Sequence, residues 1–351
     1  MKKEDLEKLE VIDLIKMIMM LLVVLYHSCC FFSGNWFAGA TPIYKSTYIV
    51  NVAQYLNMFH VQTFTMASGF LFYCLKKNMG KYNNIKKDVP KRAKRLLVPY
   101  FMVMITWVIP FYIYYHGFNF KDILYKYVLG CSPSQLWFLP MLFWNFIIFY
   151  FLFDRIPISM SGMICMIGIS VVGGAVLGKI ITINIFQINT AIMYLMYYYL
   201  GALLYEKVNY VGINKLVTCV SLSILSFLVW KYAMGLSNQS ILVSLIALAM
   251  KNICSLVSVV MVYLVINKWY EKSKFRTRNS TISNIKKYLI ENSFGIYLFH
   301  QQIIYLVIIP LNGKVSPILQ VVISFNIAIM GAGIIVYMIK KSTFLKKLYG
   351  L

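Results

Sequence analysis

The chain is organised around residues 59–100, FHVQTFTMASGFLFYCLKKNMGKYNNIKKDVPKRAKRLLVPY. It starts as an apolar run that carries His60 and is interrupted by Ser68-Gly69. Nine Lys or Arg residues follow within 76–95, and the chain then returns to apolar residues at Leu96. Two apolar runs separated by a short and strongly basic loop are typical of consecutive membrane helices that are joined in the cytoplasm.

The composition of the whole chain agrees with a membrane protein. Of its 351 residues, 60% are hydrophobic and 13% are charged, whereas a soluble domain has about 45–50% and about 25%. We find no linker rich in Pro, Gly or Ser, no internal repeat and no low-complexity segment. The sequence therefore predicts one membrane domain over residues 1–351.

Ten apolar runs are long enough to cross a bilayer, whose core of about 30 Å needs about 20 residues of helix. Their residues are continuously apolar rather than alternating, which favours an all-α bundle of about ten transmembrane helices over a β-barrel. Within 179–206, Asn184, Gln187 and Asn189 interrupt the apolar character and leave a re-entrant segment open. The predicted runs are 11–32, 52–75, 96–116, 136–153, 159–178, 190–206, 214–234, 240–267, 288–311 and 315–340.

The net charge of +23 is distributed in a way that indicates orientation rather than nucleic-acid binding. With the N-terminus inside, the inner segments carry 26 Lys or Arg and the outer segments carry five. Such a bias predicts an even number of spans with both termini in the cytoplasm. The seven cysteines show no metal-type pair spacing, so we predict buried inert thiols and no metal.

The first run carries Asp13, Lys16 and His27. Lys16 and His27 are eleven residues apart, so they share one helix face and lie about 16 Å apart along its axis. His27 is the best candidate for a general base, because an imidazole accepts a proton at neutral pH. An interfacial placement of both side chains, with Lys16 extended to the headgroups, is an equally good interpretation.

Other polar residues inside the runs are candidates for binding or support. Asp13 is too far along the helix to orient His27, so the orienting group has to come from His60, His300 or Glu291 on other runs. Interhelical hydrogen bonding explains His300 as well as a functional role does, and for His60 it is the better explanation. Lys251 lies midway along the eighth run without an evident charge partner.

Arg92 and Arg95 are three residues apart at the start of the third run. At a helix N-terminus, backbone N–H groups and two guanidiniums together bind phosphate. Spacing alone favours the simpler interpretation that the whole basic cluster binds anionic lipid. Ser68 is a candidate for substrate contact, although Ser68-Gly69 is explained equally well by close helix packing.

Six segments together resemble the membrane acyltransferase-3 family, in particular its short members similar to fucose 4-O-acetylase that lack a periplasmic hydrolase-like domain. None of the segments is specific alone, but they occur in the family's order across nearly the whole chain. The segments are VIDLIKMIMMLLVVLYH, FHVQTFTMASGFLF, KRAKRLLVPY, LWFLPMLF, YYYLGALLYEK and SFGIYLFH.

The resemblance implies an O-acetyltransferase of the bacterial inner membrane. It would move acetyl from cytoplasmic acetyl-CoA to a hydroxyl of an extracytoplasmic or lipid-linked glycan in polysaccharide biosynthesis of the cell envelope. The family pattern implies that His27 is catalytic and that Lys16, Arg92 and Arg95 bind the donor, with Lys16 replacing the usual arginine. A transporter or flippase of lipid-linked sugars, and a protein that acylates or senses a small molecule, are the alternatives.

Overall fold

The computed structural model describes residues 3–33, 40–207, 213–236, 240–273 and 280–351. Throughout these residues the regular secondary structure is helical, which confirms the predicted all-α fold. The α-helices are α1 (Lys3–Cys30), α2 (Thr47–Asn57), α3 (His60–Met79), α4 (Ile85–Val103), α5 (Ile109–His116), α6 (Phe120–Ile123), α7 (Phe138–Leu152), α8 (Met160–Gly168), α9 (Gly174–Ile180), α10 (Ile188–Lys207), α11 (Ile213–Leu236), α12 (Ile241–Ser273), α13 (Ser280–Leu311), α14 (Pro317–Lys340) and α15 (Thr343–Leu348).

Short 3₁₀ and π-helical turns join several of these helices. The π-helical turns let a long helix continue with a local change of direction, as between α4 and α5. The 3₁₀ turns are Phe31–Ser33, Ser134–Trp137 and Ile185–Gln187, and the π-helical turns are Met104–Val108, Leu124–Val128 and Ile169–Gly173.

Seven helical segments of the described residues are long and apolar enough to cross a membrane, so the protein is a polytopic membrane bundle. The three remaining predicted runs, 11–32, 52–75 and 190–206, coincide with α1, with α2 and α3, and with α10. The count of ten spans and the cytoplasmic termini remain predictions. The seven segments are Ile85–His116, Ser134–Leu152, Met160–Ile180, Asn214–Leu236, Ile241–Lys272, Ser283–Leu311 and Pro317–Lys340.

Helix α1 lies at the centre of the bundle. It packs against α2, α3, α12, α13 and α14. Ile12, Ile15, Met20 and Val24 on α1 are completely buried. On the same helix, the polar side chains of Asp13, Lys16 and His27 are partly covered by neighbouring helices.

The predicted run 52–75 is not one helix, since the chain breaks between α2 and α3. Three side chains after the break bond to carbonyl oxygens before or within it: His60 Nδ1 to Leu56 at 2.6 Å, Gln62 Nε2 to Asn57 at 3.2 Å, and Thr63 Oγ1 to Phe59 at 2.7 Å. Backbone groups inside a membrane protein must be satisfied within the protein. These polar residues therefore make the break possible.

Helix α4 begins eleven residues before the predicted start at Leu96. Its N-cap is Asn84, whose side chain accepts from the N–H of Lys87, while Asp88 accepts from the N–H of Asn84. These polar groups stabilise the first turn of α4. The prediction that Arg92 and Arg95 lie at a helix N-terminus is therefore wrong, because both lie in the body of α4.

The polar residues within 179–206 form a turn between α9 and α10. Gln187 donates to the carbonyl oxygens of Gly130 and Cys131 at 2.7 and 3.0 Å, and Asn189 donates to that of Ile181 at 3.1 Å. The turn is thus tied to the neighbouring segment at 130–131. It accounts for the interrupted apolar pattern without a re-entrant helix.

Helices α3 and α10 cross at two glycines. A Cβ on Gly69 would lie 1.8 Å from the carbonyl oxygen of Tyr198, and a Cβ on Gly201 would lie 2.0 Å from that of Met66. Only hydrogen fits at either position, so the two backbones are in direct contact. The predicted packing role of Ser68-Gly69 is confirmed for Gly69.

We expect Gly69→Ala to force α3 and α10 apart. The free energy of unfolding should fall by about 1–3 kcal/mol, the usual cost of overpacking, or by more. Thermal unfolding of the purified protein measures this change. The matched control is Gly178→Ala on α9, where an added Cβ would meet no atom within 4 Å. Equal melting temperatures for the two variants would contradict the close crossing.

Candidate active site

Three cavities follow one another through the described part of the bundle. We name them outer, middle and inner by their order along α1, from its C-terminal end to its N-terminal half. The outer cavity measures about 680 Å³, the middle cavity about 130 Å³ and the inner cavity about 440 Å³. The outer cavity is lined by His27, Tyr112, Asp122, Gln135, Gln301 and Tyr305, among others. The middle cavity is lined by Val23, Tyr26, His27, Asn57, His60 and Val61, and the inner cavity by Asp13, Lys16, Ser68, Arg92, Arg95 and Glu291.

The middle cavity adjoins both of the others. It shares His27, Gln135 and Trp137 with the outer cavity. It shares the three rings of Phe64, Phe138 and Tyr297 with the inner cavity. A group in the middle cavity can therefore contact His27 from one side while its remainder extends towards the other cavities.

His27 is oriented by His300, which comes from α13. The Nδ1 atom of His27 lies 2.9 Å from the Nε2 atom of His300. His300 is completely buried, and its Nδ1 atom lies 2.7 Å from the carbonyl oxygen of Tyr297. Of the three predicted candidates for the orienting group, the structure brings His300 into contact with the imidazole of His27.

These contacts determine which nitrogen of His27 can act as a base. A carbonyl oxygen only accepts hydrogen bonds, so Nδ1 of His300 carries the proton and Nε2 of His300 is the acceptor. The Nδ1 atom of His27 must then be the donor to His300. The lone pair of neutral His27 is consequently on Nε2, which is the arrangement that an oriented general base requires.

His60 lies beside His27 but has a structural bond of its own. It lines the middle cavity with His27, and its ring packs against Tyr26 with centroids 4.6 Å apart. Its Nδ1 atom donates to the carbonyl oxygen of Leu56. His60 therefore supports the break between α2 and α3 and presents its other nitrogen towards the interior of the bundle.

The inner cavity brings together the three predicted donor-binding cations. Lys16 forms an ion pair with Asp13 at 3.0 Å. The guanidinium of Arg92 lies over the ring of Phe146, 5.3 Å from its centroid, and its Nε atom is buried without a hydrogen-bond acceptor. Among the described residues, neither Arg92 nor Arg95 forms an ion pair. Two uncompensated guanidiniums in one cavity are suited to an anionic ligand.

Further polar groups line the same inner cavity. Ser68 and Glu291, both predicted as possible substrate or support residues, contribute to its wall. Tyr198 also lines it, and its buried hydroxyl has no hydrogen-bond partner among the described residues. Buried polar atoms are nearly always satisfied, so this hydroxyl and Nε of Arg92 are two exceptions that lie beside the same cavity.

An aromatic collar, formed by Phe64, Phe138 and Tyr297, separates the inner and middle cavities. The rings are in successive contact, with centroids 5.8 Å apart for Phe64 and Phe138, and 6.0 Å apart for Phe138 and Tyr297. The hydroxyl of Tyr297 donates to the carbonyl oxygen of Gln135, which fixes the ring. The three rings therefore form a wall that the inner and middle cavities share.

Buried amides form one wall of the outer cavity. Gln135 and Gln302 exchange hydrogen bonds of 2.8 and 3.1 Å, which ties the turn before α7 to α13. Gln301 donates to the hydroxyl of Tyr305 at 2.6 Å, and its Oε1 atom is buried without a donor among the described residues. Gln301 therefore contributes a polar side chain to the wall of this cavity.

Aromatic and charged groups complete the outer cavity. Asp122 accepts hydrogen bonds of 2.8 Å from Lys126 and from Tyr112, and the bond from Lys126 holds the pKa of this exposed carboxyl below its usual value. The rings of Phe111, Tyr115 and Trp137 also line the cavity. The outer cavity therefore combines apolar ring faces with hydrogen-bonding groups of both kinds.

Lys251 is not brought to this site. Its side chain is exposed on α12 and lines none of the three cavities. Helix α12 packs mainly against α11, at the periphery of the bundle. We find no role for this lysine in the candidate active site.

Sequence reasoning missed the collar, Gln135 and Tyr198. Aromatic residues are so common in this chain, at 16%, that no spacing distinguishes those of the collar from lipid-facing ones. Gln135 stands directly before an apolar run, where a polar residue is unremarkable. Gln301 and Gln302 gave the clearest signal, as two adjacent amides next to His300 inside a predicted span.

The comparisons with known proteins agree with this geometry. A family model described as an acyltransferase domain, that of the acyltransferase-3 family, matches residues 9–337 and so covers nearly the whole chain. The match includes His27, His300 and all three cations of the inner cavity. No curated protein and no solved structure matches the chain. The chain therefore belongs to the acyltransferase-3 family, and the protein is a membrane acyltransferase.

Proposed function

We propose that the protein transfers an acetyl group from cytoplasmic acetyl-CoA to a hydroxyl of an extracytoplasmic or lipid-linked glycan. The observation that carries the proposal is the position of His27, which is oriented by His300 at the junction of two cavities. The middle cavity adjoins the inner cavity, where Arg92 and Arg95 have no ion-pair partner among the described residues. The outer cavity is lined with aromatic rings and hydrogen-bonding groups, which suit a sugar.

The donor would bind in the inner cavity, which we place on the cytoplasmic side because the basic segment 76–95 leads into it. Arg92 and Arg95 would bind the phosphates of the CoA moiety, with Lys16 adding a positive charge. The thioester end would then extend past the collar into the middle cavity. This arrangement needs no free helix N-terminus, since the guanidiniums themselves provide the hydrogen-bond donors.

The acceptor would bind in the outer cavity. Aromatic rings pack against the C–H faces of a sugar, whereas amides and a carboxylate bond to its hydroxyls. Gln301 and Asp122 are the acceptors that we assign to hydroxyl groups of the glycan. The proposal includes a location in the inner membrane of a bacterium, where cytoplasmic acetyl-CoA and an external glycan would be on opposite sides of the protein.

The reaction would proceed by direct attack within this geometry. Nε2 of His27 takes the proton of the acceptor hydroxyl while the hydroxyl oxygen attacks the thioester carbonyl. The new C–O bond forms, the C–S bond breaks, and the proton passes from His27 to the leaving thiolate. The products are an O-acetyl ester and CoA, and His27 returns to its initial neutral form.

We expect His27→Ala to reduce acetyl transfer by about 100-fold or more, the usual contribution of a general base. The measurement is the amount of acetyl ester on surface glycan by NMR, in cells with equal levels of the two proteins. Lys251→Ala provides a control, because Lys251 is exposed on α12 and lines none of the three cavities. Unchanged acetylation in His27→Ala cells would exclude the proposed role.

His300→Leu should also reduce transfer, by about tenfold or more, because His27 loses the acceptor that fixes its tautomer. His300→Gln should recover much of this loss, since its side-chain oxygen can accept the same hydrogen bond. Neither change should weaken binding of acetyl-CoA to the purified protein. If glutamine and leucine lower transfer equally, His300 has only a packing role.

Arg92→Ala and Arg95→Ala should each weaken binding of acetyl-CoA by about 10- to 100-fold, the value of a hydrogen bond to a charged group. Binding of acetyl-pantetheine, which has no phosphate, should change little. Lys91→Ala is the matched control, because it removes one positive charge from the same helix outside the cavity. Equal weakening for both ligands would show that the arginines do not bind phosphate.

A further inference from the structure

We propose that the middle cavity holds the acyl group and restricts the donor to short chains, with Val61 and Val23 as the residues that set the limit. The inference rests on the proposed function and adds the specificity of that site. Both valines line the middle cavity and neither lines the outer or the inner cavity. Their size therefore affects this cavity alone.

The position of the acyl group follows from where the acceptor hydroxyl and the CoA moiety would bind. The hydroxyl must be within hydrogen-bond reach of His27 when it attacks, so the thioester carbonyl has to lie next to this histidine. The CoA moiety approaches from the arginines of the inner cavity, on the far side of the collar. The carbonyl and its alkyl chain are then in the middle cavity, which His27 lines.

The volume of the middle cavity sets the length of the chain. A cavity of about 150 Å³ in a protein interior holds benzene, which has six carbon atoms. The middle cavity, at about 130 Å³, has room for a slightly smaller group. An acetyl thioester has four non-hydrogen atoms at its reacting end and a butyryl thioester has six. Acetyl therefore fits, butyryl is at the limit, and hexanoyl is too long.

A longer chain has no favourable direction in which to extend. Towards the inner cavity, the collar is filled by the thioester linker itself. Towards the outer cavity, an alkyl chain would displace water from the charged groups of Asp122 and Lys126, which line that cavity. Removing charged groups from water is unfavourable. The middle cavity is therefore the space that remains for the alkyl chain.

The proposal can be tested with acyl-CoAs alone, because binding of the donor can be measured without a known acceptor. The measurement is the equilibrium dissociation constant of acetyl-, butyryl- and hexanoyl-CoA for the purified protein in lipid nanodiscs, with empty nanodiscs as the blank. The variants are Val61→Ala, which enlarges the cavity, and Val61→Leu, which reduces it. Val23→Ala is the second enlarging variant if Val61→Ala does not fold.

We expect the native protein to bind hexanoyl-CoA at least about tenfold more weakly than acetyl-CoA, because a pocket discriminates by about this factor per misfitting methylene. Val61→Ala should reduce the ratio towards one, and Val61→Leu should extend the discrimination to butyryl-CoA. The control is Val322→Ala, which makes the same change at a half-exposed position on α14 that lines none of the cavities.

The outcomes separate this inference from the proposed function. If native protein binds acetyl-CoA and hexanoyl-CoA equally well, or if well-folded Val61 and Val23 variants keep the native ratio, the middle cavity does not select the acyl chain. If native protein binds none of the acyl-CoAs, the proposed donor site itself is wrong. Discrimination that changes with the size of residue 61 and not with residue 322 supports the inference.

Discussion

The hydrogen bond between His27 and His300 is the interaction on which the rest of the site depends. It joins α1, the most central helix, to α13, and both imidazoles are inside the bundle, where an unpaired polar group is costly. His300 accepts the hydrogen bond from Nδ1 of His27, and the carbonyl oxygen of Tyr297 accepts the hydrogen bond from Nδ1 of His300. The tautomer of neutral His27 is thus determined by its bond to His300.

The same requirement explains why the polar residues of this chain occur where helices break or cross. The interruption between α2 and α3 is stabilised by His60, Gln62 and Thr63, and it opens the space that becomes the middle cavity beside His27. Farther along α3, Gly69 instead lets this helix come into direct contact with α10. The space beside His27 thus arises where the helix is interrupted, and close packing occurs where it is regular.

The sequence predicted the outline of the fold and part of the site. Apolar runs and basic loops identify helices because hydrophobic length and charge act locally, and the spacing of Lys16 and His27 holds for any helix. Long-range contacts have no such local signal. The pairing of His27 with His300 spans 273 positions, and the start of α4 at Ile85 depends on the cap at Asn84 rather than on hydropathy.

The lysine at position 16 is the clearest departure from the family pattern, and the structure gives it a physical account. Lys16 is paired with Asp13 one turn earlier on α1, so much of its charge is compensated within the helix. A lysine also provides a single ammonium where an arginine provides a planar fork. The guanidiniums of Arg92 and Arg95 have no such partner among the described residues, although they line the same cavity. In the proposed donor site these two arginines, rather than Lys16, would therefore fix the position of the phosphates.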